Sequence, residues 1–191
     1  MDRRKMLLLL CLVLMACAVL VACDDDDRKA KERWAFNHET DKAVLTVYED
    51  GSAEFQGKEY TKYEVGDKVI KMTAKDGSVD EFRYYDDEKY RYIYLTSTYD
   101  FYESDTFAGY DGSTLVGAWT KGEDKESFQF TPNGTFLEDG YWAGYYFPHD
   151  DGSIKLVYDN QVFDDTTIYY TIKDKKLTIE YPWLMIKMPE E

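Results

Sequence analysis

Side chains able to do covalent or acid–base chemistry near neutral pH are scarce in this chain, and their spacing matches no common catalytic pattern. There are two histidines, His38 and His149, and three cysteines, Cys11, Cys17 and Cys23. A nucleophilic site needs a nucleophile, a base and a group that orients the base. The chain contains no Gly-x-Ser-x-Gly elbow, no Ser-x-x-Lys pair and no His-Glu-x-x-His run. His149 falls in Phe147-Pro148-His149-Asp150-Asp151-Gly152, a turn-forming stretch that suits a solvent-facing histidine better than a general base. Carboxylates are plentiful, 38 in all. Two of them about 5 to 10 Å apart across a cleft would suffice for glycoside hydrolysis, but no particular pair stands out. Asp150-Asp151-Gly152 and Asp164-Asp165 lack the alternate-position spacing of a calcium loop. No catalytic residue, metal ligand or dissociable cofactor is therefore expected.

Aromatic side chains are the stronger signal. The densest run is Tyr141-Trp142-Ala143-Gly144-Tyr145-Tyr146-Phe147. Tyr and Trp combine an apolar body with a polar tip, which suits recognition surfaces, so Tyr141, Trp142, Tyr145 and Tyr146 are the candidate ligand-binding residues. Tyr90, Tyr92 and Tyr94 alternate along one segment and are expected to be core and cross-strand packing instead.

The thiol chemistry lies at the N-terminus. Asp2-Arg3-Arg4-Lys5 forms a basic start, and residues 6–21 are almost uninterruptedly apolar, which reads as a secretory signal. The run is shorter than the ~20 residues of a spanning helix and ends at Leu20-Val21-Ala22-Cys23, followed at once by Asp24-Asp25-Asp26-Asp27. Leu20-Val21-Ala22-Cys23 resembles a bacterial lipobox. The resemblance implies removal of residues 1–22 and a covalent diacylglycerol on Cys23, with a further N-acyl chain such as palmitate where the host adds one. Cys11 and Cys17 would leave with the signal, so no disulfide is expected in the mature chain.

Loss of residues 1–22 removes three basic side chains and one acid, which moves the net charge from −15 to −17. So acidic a chain repels nucleic acid and anionic lipid headgroups. The acids are dispersed as Asp86-Asp87-Glu88, Asp150-Asp151 and Asp164-Asp165 between apolar segments, the pattern of a solvated surface.

The elements that must carry these residues are strands. Leu177-Thr178-Ile179-Glu180-Tyr181 alternates strictly, and similar segments occupy 44–48, 69–72, 81–85, 90–96, 127–130, 154–158 and 167–172. Turns are expected at Glu49-Asp50-Gly51-Ser52, Lys75-Asp76-Gly77-Ser78, Pro132-Asn133-Gly134-Thr135 and Asp150-Asp151-Gly152-Ser153. The order of features also recurs at an offset of about 83 to 87 residues: Trp34 answers Trp119, 48–53 answers 131–136, 70–72 answers 154–156, and 82–94 answers 169–181. The division expected is a signal peptide at 1–22, an acidic tether at 23–33, one β-meander repeat at 34–104, a linker at 105–114 and a second repeat at 115–191. Each repeat is too small to be stable alone without staples, so the two should pack together as a barrel or sandwich.

Leu115-Val116-Gly117-Ala118-Trp119 together with Phe128-Gln129-Phe130-Thr131-Pro132-Asn133-Gly134-Thr135-Phe136 resembles the lipocalin-like domains of surface lipoproteins, especially those of Gram-positive bacteria. The first repeat departs from the pattern, with Arg33-Trp34-Ala35 and no glycine. The expected fold is all-β, two antiparallel meander repeats forming a lipocalin-like barrel or sandwich after a signal-peptide helix. The expected protein is non-enzymatic and lipid-anchored on the extracytoplasmic face of the cell membrane, on the Gram-positive cell surface or, in a Gram-negative cell, the periplasmic face of the inner membrane. Its expected partner is an extracellular protein, a glycan or a small apolar ligand. Two other classes remain open: an acidic inhibitor or decoy of cationic proteins such as lysozyme, and a glycan hydrolase using a carboxylate pair.

Overall fold

A computed structural model describes residues 28–87, 90–122, 124–160 and 163–189. Cys23 and the expected signal-peptide helix lie outside the described residues. Among those residues the regular structure is strand, apart from one 3-10 turn at Asp105–Phe107. In chain order the strands are β1 (Ala30–Phe36), β2 (Leu45–Tyr48), β3 (Ala53–Phe55), β4 (Lys58–Tyr60), β5 (Lys62–Val65), β6 (Val69–Thr73), β7 (Val79–Asp87) and β8 (Tyr90–Tyr102). They continue as β9 (Gly117–Lys121), β10 (Asp124–Phe130), β11 (Thr135–Glu138), β12 (Trp142–Pro148), β13 (Ser153–Tyr158), β14 (Thr166–Lys173) and β15 (Lys176–Lys187).

Each strand from β8 to β15 pairs antiparallel with the next, and β15 pairs back onto β8, so these eight close a barrel. The closing pair is longer than the barrel requires. Eleven residue pairs join β8 to β15, from Lys176↔Asp100 to Ile186↔Tyr90. The first half of β8 also pairs with β7, and the last residues of β15 pair with β1. The overhang thus carries the N-terminal strands on its two sides, β7-β6-β5 and β1-β2-β3-β4. Only Thr61 separates β4 from β5, and its N–H donates to the Thr73 carbonyl of β6 at 2.8 Å. The N-terminal strands therefore make a second circuit around the same two-strand ribbon, interrupted at that one residue.

The pairing register recurs between the two circuits. Trp34 faces Lys187 and Leu45, while Trp119 faces Phe101 and Phe128. Leu45↔Phe55 is matched by Phe128↔Glu138, and Ile70↔Phe82 by Ile154↔Ile168. The offsets run from 83 to 86, and Leu95↔Tyr181, itself 86 apart, is the central rung of the ribbon. The sequence expectation of 87 for this last strand is corrected by one residue. A slip of one would exchange inner and outer faces.

That correction explains the tyrosines of β8. Ile93 is fully buried in the first core and Leu95 packs on it, while Tyr99 and Phe101 pack on the second. Odd-numbered residues of β8 therefore point inward, and alternation places Tyr90, Tyr92 and Tyr94 outside. The expectation of core and cross-strand packing is met in part: Tyr94 is buried and Tyr92 pairs with Tyr85 across the strands, but none of the three belongs to either interior cluster. They lie on the outer face of the ribbon, where Tyr85 stacks on Tyr92 at 4.4 Å and Tyr94 meets Tyr169 edge-on at 5.6 Å. The Arg83 guanidinium lies 3.7 Å from the Tyr169 ring centre and bonds Glu180 at 3.1 Å.

Both circuits are filled by side chains. The first core includes Trp34, Leu45, Phe55, Ile70, Met72 and Met185, and the second includes Trp119, Phe130, Phe136, Leu156, Ile168 and Leu177. The Trp119 indole N–H donates to the Leu115 carbonyl at 2.9 Å, so its one polar atom is satisfied inside the barrel.

Two segment boundaries shift. The last four residues of the expected tether at 23–33 form the start of β1, where Ala30, Glu32 and Arg33 pair with Tyr48, Val47 and Thr46. The expected linker at 105–114 is packed down by Phe107, which is buried. All four expected turns form, and in three of them an Asp carboxylate caps the Ser that follows the glycine: Asp50–Ser52, Asp76–Ser78 and Asp151–Ser153.

Candidate functional site

The aromatic run and a half-buried carboxylate, the one among the described residues with a raised pKa, meet at one end of the closed barrel. The β11–β12 hairpin turns through Asp139 and Gly140, both with positive φ (50° and 76°), and the Tyr141 N–H donates to the Glu138 carbonyl at 3.2 Å. Two residues with φ > 0 make a turn whose twist suits a tight hairpin. The turn sets Glu138, last in β11, directly opposite Trp142, first in β12. Phe136 is buried in the barrel core, so alternation along β11 sends the Glu138 side chain inward as well.

Glu138 therefore holds a core-facing position at the barrel's end. Its Oε2 accepts a 2.7 Å hydrogen bond from the Tyr158 hydroxyl. Tyr158 lies 3.1 Å from the Tyr181 hydroxyl. Tyr158 has one proton and gives it to the carboxylate, so Tyr181 is the donor in the second bond. Burial pushes the Glu138 carboxyl above its ordinary range, opposed by the Tyr158 hydrogen bond and assisted by neighbouring Asp139. Burial first, and then the Glu138 charge, hold the Tyr158 phenol well above the usual phenol range. Among the described residues Glu138 has no ion-pair partner, and Tyr158 is its hydrogen-bonding neighbour.

Aromatic rings pack in series from the hairpin to Tyr158. Trp142 meets Phe163 edge-on at 4.5 Å, Phe163 lies 5.2 Å from Tyr158, and Tyr141 tilts against Trp142 at 4.9 Å. Trp142, Phe163 and Tyr158 thus form a series of ring contacts from the residue paired with Glu138 to the residue bonded to it, extended outward by Tyr141, which is 68% exposed.

The other circuit supplies an internal control. By the shared register, the position of Glu138 is held there by Phe55, that of Trp142 by Lys58, that of Gly144 by Tyr60 and that of Tyr181 by Leu95. Phe55 and Tyr60 are both 3% exposed and close that end with packed rings. The second circuit has exchanged this apolar plug for a carboxylate under aromatic side chains.

Of the four residues expected from the sequence, the structure brings two to this place, Tyr141 and Trp142. Tyr145 lies on the outer wall of the barrel, half exposed, next but one to Phe147. Tyr146 points into the core, where it packs edge-on against Phe130 at 5.2 Å and its hydroxyl donates to the Thr131 carbonyl at 2.7 Å. Alternation along β12 separates the four onto two faces. Sequence reasoning missed Glu138, Tyr158, Phe163 and Tyr181; the signal that could have found them is the pairing of Glu138 with Phe55 across the repeat. His38 stacks on Phe36 at 5.6 Å, and His149 lies in its expected turn. Among the described residues no three of His, Cys, Asp and Glu gather as metal ligands. No family model, curated protein or solved structure matches this chain.

The environment of Glu138 has a thermodynamic consequence. An acid whose carboxyl is raised in the folded state keeps its proton longer folded than unfolded, so its contribution to stability is greatest at low pH and declines as pH rises through the folded-state value. Replacing Glu138 by Gln should flatten this decline and raise the melting temperature at pH 7, while leaving it little changed at pH 4. Thermal unfolding of both proteins across that range checks the difference. Equal melting temperatures at both ends would contradict it.

Proposed function

We propose that this chain is a lipid-anchored, extracytoplasmic binding protein without catalytic activity, and that it takes its ligand at the Glu138 end of the barrel. The observation that carries this reading is the carboxylate itself, set at a core-facing position, paired across the hairpin with Trp142 and bonded by Tyr158, where the other circuit has buried Phe55. Burying a carboxylate without a basic partner costs stability, and nothing in the packing of the barrel requires it. Filled interiors in both circuits favour a ligand held at the barrel's end over one enclosed along its axis.

The recurring register supports the reading of the two circuits as diverged copies of one lipocalin-like meander, the first retained as packing and the second adapted for recognition. The anchor is the covalent lipid on Cys23, implied by Leu20-Val21-Ala22-Cys23. A mature charge of −17 disfavours nucleic acid as a partner. In cells, Cys23→Ala is expected to move the protein almost entirely from the membrane to the soluble or secreted fraction, and intact-mass analysis of the native protein should show the acyl chains. An unmodified N-terminus, or fractionation unaltered by the substitution, would overturn the anchoring.

A further inference from the structure

We propose that the Glu138 end of the barrel is a site for a small organic cation, with a quaternary ammonium group seated between the carboxylate and the rings of Trp142, Phe163 and Tyr158. This rests on the reading of that end as a ligand site and names the ligand's chemistry. Three features converge on it. The first is a carboxylate turned into the barrel whose hydrogen bond comes from a neutral phenol, with no ion-pair partner among the described residues. Such a group attracts positive charge, and no described residue supplies an ion pair to it.

The second feature is the rings. An ammonium ion is drawn to the faces of Trp and Tyr by the ring quadrupole, and several such rings around one point make the usual cage for methylated ammonium groups. Trp142 stands opposite Glu138 across the hairpin, Phe163 bridges Trp142 to Tyr158, and Tyr141 flanks the outer side. A methylated cation has no N–H to satisfy, so a site that offers ring faces and one carboxylate meets its needs. A sugar or a phosphate would instead require several convergent donors.

The third feature is the contrast within the molecule. At the matching end of the first circuit Lys58 replaces Trp142, and its ammonium bonds Asp80 at 2.6 Å while Tyr60 also bonds Asp80. There the protein provides its own cation, over the Tyr60 ring at 5.0 Å. In the second circuit the lysine is gone, Thr166 stands where Asp80 would be, and the carboxylate has moved to Glu138. The arrangement of an acid beside an aromatic ring persists, without the internal cation. The charged and titratable groups around Glu138 are Asp139 in its own turn, Tyr158 on β13, Tyr181 on β15 and Tyr99 on β8. None of these carries positive charge; the Lys121 ammonium lies beyond Tyr99, 5.9 Å from its ring centre, and bonds Ser97.

The test is calorimetry and tryptophan fluorescence on residues 24–191 with choline, phosphocholine and 3,3-dimethylbutan-1-ol, the last being the neutral isostere of choline. Saturable choline binding is expected, at least tenfold tighter than the alcohol, tightening as pH rises through the titration of Glu138. Glu138→Gln should weaken it at least tenfold with the fold intact, and Trp142→Ala should remove both the binding and the fluorescence change. Comparing choline with phosphocholine separates a free ammonium from a lipid headgroup, and either sustains the assignment. Equal affinity for choline and the alcohol, unaffected by Glu138→Gln, would overturn the cation while leaving a ligand site at this end. No saturable response to any of the three probes would overturn both readings.

Discussion

Gly144→Ala is expected to cost about 3 kcal/mol, the upper range for overpacking a close-packed interior, and to lower the melting temperature by about 10 °C. Gly144 faces Phe136 on one side and Tyr158 on the other. A Cβ built there overlaps the Val157 carbonyl oxygen and lies 2.9 Å from both the Tyr158 Cα and Phe136 Cε1. Two of those atoms are backbone, so no rotamer change relieves the contact. The first circuit tolerates a full Tyr60 at the equivalent position because β4 pairs with β3 on one side and ends its ladder there, so no strand backbone is paired against its other side. The glycine therefore lets the β13 backbone pair closely with β12, the strand pairing that holds Tyr158 where it reaches Glu138. Thermal unfolding followed by circular dichroism measures the loss; a shift under 2 °C would show that the strands can separate to admit a methyl group.

The same pair of positions explains what was legible in the sequence. Alternation marked the strands well, because inner and outer residues differ sharply in polarity: Leu177 and Ile179 are buried and Thr178 and Glu180 are not. Gly-centred turns were legible because Gly51, Gly77, Gly134 and Gly152 all take positive φ, and a preceding Asp or Asn together with a following Ser or Thr supplies the cap. Internal similarity found the repeat, for the order of Trp, turn and tyrosine survives divergence. It did not find which face each tyrosine occupies, since an offset of 87 and one of 86 score almost alike in a tyrosine-rich chain while their structural meanings are opposite. Alternation of Tyr90, Tyr92 and Tyr94 showed that they share a face and pair across strands, but not that this face is the outer one.

The candidate site was half legible. Trp142 and Tyr141 stood out as an aromatic run, but a run of consecutive residues on a strand cannot share one face, and Tyr145 and Tyr146 were bound to part company. Glu138 was hidden among 38 carboxylates. Only its depth distinguishes it, and depth follows from pairing partners far away in sequence. Phe163 and Tyr181 reach the site through the β13–β14 connection and the central rung of the ribbon, neither of which leaves a local signature.

That ribbon leads to the second large effect. Residues 28–104 and 105–191, produced separately, are each expected to be unfolded or self-associated, and to form one folded monomeric unit when mixed. β8 leaves the first circuit halfway along and closes the second, where Tyr99 and Phe101 pack on the core. β15 does the reverse, and its Met185, fully buried, belongs to the first core. Each half alone would lack one wall of its barrel and expose unpaired edges that invite pairing with another chain. Exchange of this kind makes the halves one cooperative unit, even though their cores are separate clusters. The recurring register also says what an isolated half would do: β8 of one copy can meet β8 of another about Leu95, as it meets β15 about Tyr181 in the intact chain. Size-exclusion chromatography and circular dichroism of each fragment and of the mixture decide the matter, and two fragments that are each monomeric, folded and indifferent to one another would contradict it.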